Sequence, residues 1–287
     1  MNIAVIQGFE PSAPPRAVAA LPNLRDAGES ALGKLGNFTA RLAVTNEEIR
    51  AAQKLRQSVF FAGMPQTLNC RDEDRFDNHC DHLLVFDQSI PCAGEGRIVG
   101  TYRLMRQDKA KQAGGYCSQN EFDVESLISR HRDRHFLELG RSCVLPHYRS
   151  KRIAELLWQG IWAYCRMHSI DVMFGCASFP GTAPARHALP LSFLYHHARA
   201  VGAWAVEPVS KLAVLADLVP AEAVHPRPAL AAMPPLVKGY LRLGAKFSGS
   251  AVIDPHFGTT DMLVVLRTED ISERYLNHYG HEADRFV

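Results

Sequence analysis

No two of the seven cysteines, Cys70, Cys80, Cys92, Cys117, Cys143, Cys165 and Cys176, form a CxxC pair, and their number is odd. That argues against a disulfide frame and a cysteine zinc site, and reduced thiols in a cytoplasmic protein are expected. No run of about 18 apolar residues occurs, so no membrane span is expected. Residues 1–30 lack a basic start followed by an apolar block, which argues against a signal peptide. Charge of one sign is scarce: 32 Lys and Arg against 30 Asp and Glu leave a net charge of +2, too mild to argue for nucleic acid. No internal repeat is detected. What remains is ordinary for a globular chain: 287 residues, 47% hydrophobic and 22% charged, enough for one large domain or two small ones.

Residues 1–37, rich in Ala, Pro and Gly, read as a flexible leader, 38–270 as a single domain and 271–287 as a C-terminal tail. A short strand is expected over Phe38–Val44. Thr45 and Glu48 then form a capping box, followed by a helical stripe of Ile49, Ala52, Leu55, Val59 and Phe60. The segment 64–80 is polar and irregular, with strands expected at 82–87 and 96–105. A short helix follows at Val124–Ser129 and a strand at 136–145. The pattern predicts a helix at 150–167 with Ile153, Leu156, Leu157, Gly160, Ile161 and Tyr164 on one face. A strand at 171–178, a helix at 189–200 and strands at 241–249 and 261–267 complete the chain. Residues 201–235 resist assignment; within 212–236, membrane contact and chain-end packing stay open. The strand–helix–strand unit at 136–178, after antiparallel strands, implies an α/β mixed sheet.

The stretch "ELGRSCVLPHYRSKRIAELLWQGI", 138–161, carries the most chemistry. A strand bearing Glu138 and Arg141 runs into a turn with Arg149, Lys151 and Arg152, at the start of a helix with no acid before Glu155. Helix starts favour anions, and the added cations point to a phosphate-bearing partner; a solvated basic helix start is the alternative. The turn Arg149, Ser150, Lys151, Arg152, Ile153, Ala154 resembles the [Q/R]-x-x-G-x-[G/A] turn of GNAT acyltransferases, except that Arg152 stands at the first glycine. A side chain there crowds a pyrophosphate and suits a lone phosphate better.

Upstream, "LRQSVF" (55–60), "DEDRFD" (72–77), "GTYRL" (100–104), Phe122 and "ELGRS" (138–142) follow the order of motifs in acyl-homoserine-lactone synthases. The blocks at 80–87, 174–181 and 234–266 instead resemble the L-ornithine Nα-acyltransferases, and the resemblance runs from about Leu42 to Leu266. It implies a GNAT-like fold, a mixed, mostly antiparallel sheet flanked by helices. It also implies transfer of a 3-hydroxyacyl group from acyl-carrier protein to L-ornithine. No cofactor would be bound; the carrier's phosphopantetheine enters with the donor. Peripheral contact with the inner membrane face is a further expectation.

The same resemblance assigns roles. Glu138 is the expected base for the ammonium, with a structural ion pair to Arg141 or Arg103 as its alternative. A backbone N–H around Cys143 or Val144 would hold the oxyanion. Asp74 and Asp77 would hold ammonium groups, Arg103 or Arg56 would hold a carboxylate or order the acids, with Phe122 and Arg141 completing the substrate set. Arg149 to Ala154 would take the phosphopantetheine phosphate. A covalent role for the Cys143 thiol is disfavoured, as is acid catalysis by Tyr195. His187, His196 and His197 lack ligand spacing, so no metal is expected. Lys238, Arg242 and Lys246 could touch lipid headgroups or carrier protein, with a solvated face as the default.

Overall fold

The computed structural model describes residues 31–62, 72–90 and 96–272; most of the leader and tail expectations lie outside them. The chain begins with β1 (Gly33–Leu35) and β2 (Phe38–Leu42), a tight antiparallel pair. Gly33–Leu35 thus lies in the sheet although the composition assigns it to the leader. Then comes α1 (Asn46–Phe60), whose capping box forms as read: Thr45 Oγ1 accepts from the Glu48 N–H, and Glu48 accepts from the Thr45 N–H. Next are β3 (Asp81–Asp87), β4 (Arg97–Arg106), α2 (Gln107–Ala113) and α3 (Val124–Arg130). The central unit is β5 (Phe136–Val144), α4 (Lys151–Met167) and β6 (Val172–Pro180). Then follow α5 (Ala188–Ala198), β7 (Ala213–Leu215), α6 (Pro226–Ala232), α7 (Pro235–Arg242), β8 (Lys246–Phe247), β9 (Ser250–Asp254) and β10 (Thr259–Arg267).

The strands form one sheet in the order β1-β2-β3-β4-β5-β6-β10-β9-β7, with β8 beside β10. Every pairing is antiparallel except β5 with β6. This parallel pair spans only Phe136–Glu138 against Val172–Phe174, and beyond it the strands part. The helix between them makes the crossover that parallel strands require. Its six-residue apolar stripe is buried as the spacing predicts. Apolar clusters occupy both sheet faces. One, under α4, α5 and α7, includes Leu83, Tyr102, Leu139, Leu156 and Phe247. The other, under α2 and α3, includes Phe76, Phe122, Phe136, Phe174 and Leu263. Each large apolar side chain so buried contributes about 1.5–3 kcal/mol.

The strand expected at 241–249 is corrected. Pro234 and Pro235 pre-set the start of α7, which runs to Arg242, and Gly244 at φ 94° turns the chain out of the helix. Only Lys246–Phe247 of that stretch is strand. No helix among the described residues is long and apolar enough to cross a membrane.

Just past the last paired rung Gly175 lets β6 come close to the β5 backbone, where an added Cβ would lie 2.2 Å from the Leu139 carbonyl oxygen. Gly175→Ala is therefore expected to cost about 1–3 kcal/mol, read as a lower urea midpoint. An unchanged midpoint would mean the strands can separate freely there.

Candidate active site

Across β4, the single residue Tyr102 faces two residues of β5, Arg141 and Ser142, in a bulge with Arg141 at φ 53°. The bulge sorts the following side chains. Arg141 and Cys143 face the α1 side of the sheet, while Ser142 and Val144 line a cavity on the α4 side. The backbone alternates too. Leu145 N–H donates to Val99 O at 2.9 Å, so Val144 must point its N–H and C=O away from β4. Its C=O accepts there from Arg149 Nε at 3.2 Å. The Val144 N–H is thereby left facing the gap between β5 and β6, whereas the Cys143 N–H belongs to the β4 ladder.

On the α1 side three arginines and three aspartates form a closed network. Arg56, fully buried, donates Nε to Asp72 at 2.6 Å and Nη2 to both Asp77 oxygens at 3.0 Å. Arg103 donates Nη1 to Asp74 at 2.7 and 2.8 Å and to Asp77 at 3.1 Å. Arg141 donates Nε to Asp72 at 3.1 Å and Nη2 to Asp74 at 3.2 Å. Burial alone would raise the Asp77 carboxyl; Arg56 and Arg103 overcome it and hold it well below the usual carboxylate range. Six charges cancel, as burial demands. Arg56 is committed to ordering the acids, one of the two roles the sequence suggested for it, whereas Asp77, buried against Arg56 and Arg103, cannot meet a substrate ammonium as the sequence suggested. Only Asp74, at 27% side-chain exposure, and Arg141, at 19%, reach the surface. Arg141 Nη1 has no hydrogen-bond partner among the described residues. Asp72, which sequence reasoning passed over, is the carboxylate that joins Arg56 to Arg141.

Glu138 sits on the last paired rung before the strands part. Its Oε2 accepts from the Cys117 N–H at 3.0 Å, and its Oε1 from the Ser118 N–H at 2.7 Å and the Ser118 hydroxyl at 2.6 Å. These donors come from a short turn, Cys117–Asn120, and no ion pair joins Glu138 to Arg141 or Arg103. One acceptor position on Oε2 stays open.

The same turn ends at Glu121, beside Asp254 and Asp261; one carboxylate oxygen of each lies within 4.8 Å of the others'. Burial, then Asp261 and Asp254, push the Glu121 carboxyl up to about 8, and burial pushes Asp261 up to about 6. Among the described residues the only hydrogen bond to the Glu121 side chain is from Cys176 Sγ, at 3.7 Å. The sequence reading missed all three, because they come from a turn and two strands far apart in the chain.

On the α4 side a cavity of about 890 Å³ runs from Arg149, Ser150 and Lys151 past Tyr102, Trp158 and Leu157 to Leu236 and Leu243 of the α7 region. Its mouth is basic and its body apolar. Arg242 lines it as well, so this residue is not part of a solvated face. Of the turn residues, Arg149, Ser150, Lys151 and Ala154 line the cavity, but Arg152 and Ile153 do not. Ile153 is packed in the core, and the Arg152 guanidinium is turned toward the β1–β2 hairpin, 3.0 Å from where a Gly36 Cβ would be. The α4 start has no side-chain cap and no acid in its first turn, which leaves its N–H groups for an anion.

Phe122 is fully buried in the apolar cluster under α2 and α3. The Cys143 thiol faces Asp72 and Arg56, and burial pushes it up to about 12, which removes it as a nucleophile at neutral pH. Tyr195 packs under the Arg199 guanidinium, 4.2 Å from its ring centroid. His187 and His196 are engaged with the carbonyls of Pro180 and Val219.

A family profile described as an acetyltransferase (GNAT) domain matches residues 55–159. The chain is 54% identical over 262 residues to an L-ornithine N(alpha)-acyltransferase of Brucella abortus, covering 89% of this chain and 93% of that protein. A protein of the same name from Rhizobium meliloti is 53% identical, with 89% and 88% covered; one from Rhodobacter capsulatus is 38% identical, with 86% and 96% covered. Among solved structures, an N-acyl amino acid synthase from uncultured soil microbes is similar at 10% identity and a TM-score of 0.47, covering 81% of this chain and 91% of that one.

Proposed function

Because the chain belongs to the L-ornithine N(alpha)-acyltransferase family, we propose that it moves a 3-hydroxyacyl group from acyl-carrier protein to the α-amino group of L-ornithine. The observation that carries this reading is the gap between β5 and β6. A basic-mouthed apolar cavity lined by Ser142 and Val144 of β5 lies on one face of the sheet, and Glu138, Arg141 and Asp74 lie on the other.

The donor's phosphate rests at the open start of α4 among Arg149, Lys151 and Arg242, and its acyl arm runs along Trp158 and Leu236. This places the thioester carbonyl beside the Val144 N–H, which faces the gap and holds the oxygen as it gains charge. Arg141 Nη1 takes the carboxylate of ornithine, oriented by Asp72 and Asp74 behind it. Glu138 accepts a proton from the α-ammonium at its open Oε2 position. The amine then attacks: the N–C bond forms, the C–S bond breaks, and the amine's remaining surplus proton leaves with the carrier thiol.

The experiment is thiol release from 3-hydroxyacyl carrier protein with and without L-ornithine. Ornithine-dependent release with equimolar N-acyl-ornithine supports the reading; release with another amine but not with ornithine discards it. Replacing Arg149 and Arg242 together by alanine is expected to raise the KM for acyl-carrier protein about tenfold or more, with kcat within about twofold. Added salt should raise the wild-type KM more than the variant's. A donor KM unmoved by the substitutions would place the phosphate elsewhere.

A further inference from the structure

Three carboxylates face one another on the acceptor side without a cation. Glu121 ends the turn that grips Glu138, Asp254 ends β9, and Asp261 lies on β10 facing the same apolar cluster as Leu263 and Val265. Proximity alone would mean little, since acids collect on many surfaces. Here Asp261 is 5% exposed, and its buried Oδ1 has no hydrogen-bond partner among the described residues, although the Thr259 and Ser178 hydroxyls lie beside the carboxyl. A bare buried oxygen of this kind calls for a donor from outside the chain, an ordered water or a bound group. No lysine or arginine is paired with any of the three among the described residues.

The trio lies close to Arg141. Asp254 Oδ1 accepts from the N–H groups of His256 and Phe257, at 2.7 and 3.1 Å, and the Phe257 ring lies 4.6 Å from the Arg141 guanidinium carbon. The β9–β10 tip thus has the arginine with its spare Nη1 on one side and the acids on the other. Phe60 and Phe61 of the α1 end hold this tip in place against Phe257.

We infer that Glu121, Asp254 and Asp261 form the subsite for the side-chain ammonium of the acceptor amino acid. The inference rests on the acceptor reading above and adds what selects ornithine over an amino acid of the same length without the second amine. An ammonium has three N–H donors, one for each carboxylate, and its charge offsets part of theirs. A hard dication fits less well: calcium takes six to eight oxygens and magnesium near-ideal octahedral geometry. The elevated Glu121 and Asp261 carboxyls are what such a site shows before its cation arrives. Cation binding ionises them, so binding near pH 7 must release protons. The groups that set this release are the trio itself, with Cys176 and Arg141 beside it.

The test compares L-ornithine with L-norvaline, which lacks only the terminal amine, at fixed acyl-carrier protein. Wild type is expected to favour ornithine by about 100-fold or more in kcat/KM. Glu121→Gln with Asp261→Asn should bring ornithine down to the norvaline level while changing norvaline less than about threefold. Titration calorimetry in buffers of different ionisation enthalpy should show proton release for ornithine and none for norvaline. Asp254→Asn must give the same pattern if the double variant does not fold. Equal use of both amines by wild type overturns the inference and leaves the acyltransferase reading intact. An ornithine preference abolished by EDTA and restored by magnesium or calcium overturns it in favour of a metal. Failure of wild type to acylate either amine overturns the parent reading, and this one with it.

Discussion

Asp72→Ala is expected to lower the unfolding free energy by about 3–5 kcal/mol. Asp72 takes Nε of the fully buried Arg56 and Nε of Arg141, and no other carboxylate among the described residues is bonded to both. Removing it leaves Arg56, whose Nη1 already lacks a partner, with a second bare donor in the interior. At roughly 2–4 °C per kcal/mol for a chain of this size, the melting temperature should drop by roughly 10 °C. Arg141 should lose its orientation too, raising the KM for ornithine in whatever fraction stays folded. A control is Glu47→Ala, which removes the exposed Glu47–Arg50 pair and should change stability by about 0.5 kcal/mol or less. If the two substitutions cost the same, the network is not a buried ion cluster. The sign of its acid dependence follows. Asp77 titrates below its unfolded value, so its contribution is complete above the ordinary carboxylate pKa and is lost as pH falls through the lower folded one.

Glu138→Gln should lower kcat by about 10²–10⁴-fold, the span that a positioned base supplies. The substitution also sets an amide against three donors that now point at a carboxylate, so the turn Cys117–Asn120 will loosen. Two measurements separate the effects. Ser118→Ala removes one donor and keeps the carboxylate; it should cost about 1 kcal/mol of stability with kcat retained. The pH profile of kcat/KM should lose its acidic limb in Glu138→Gln and keep it in Ser118→Ala. A Glu138→Gln variant with normal kcat would make Glu138 an anchor of the turn and move the base to Glu121.

Much of the frame was legible because it is periodic. The α4 stripe from Ile153 to Tyr164 and the Thr45–Glu48 box are local rules, and the structure obeys both. The fold class followed from motif order. Legibility failed where a residue's partner is remote. Nothing near Asp72 in sequence says that it bridges Arg56 and Arg141, and nothing near Glu121 announces Asp254 and Asp261. Asp77 was seen as charged and so assigned to substrate, whereas burial commits it to Arg56 and Arg103. Arg242 looked like a surface cation because α7 reads as strand until the two prolines and Gly244 are weighed together.

The short parallel rung between β5 and β6 has a wider consequence. It makes the sheet two ribbons riveted at one end, and the proposed reaction would take place in the wedge that the rivet leaves open. The wedge opens where the parallel ladder ends at Glu138 and Phe174, with Gly175 tucked against the Leu139 carbonyl just beyond. Its width is inherited from the crossover through α4, while the charges on either side hang from turns and hairpin tips. Drift in those turns can therefore exchange one amine or one acyl chain for another without touching the opening itself. A slip of register in β5 or β6 would close it for every substrate at once.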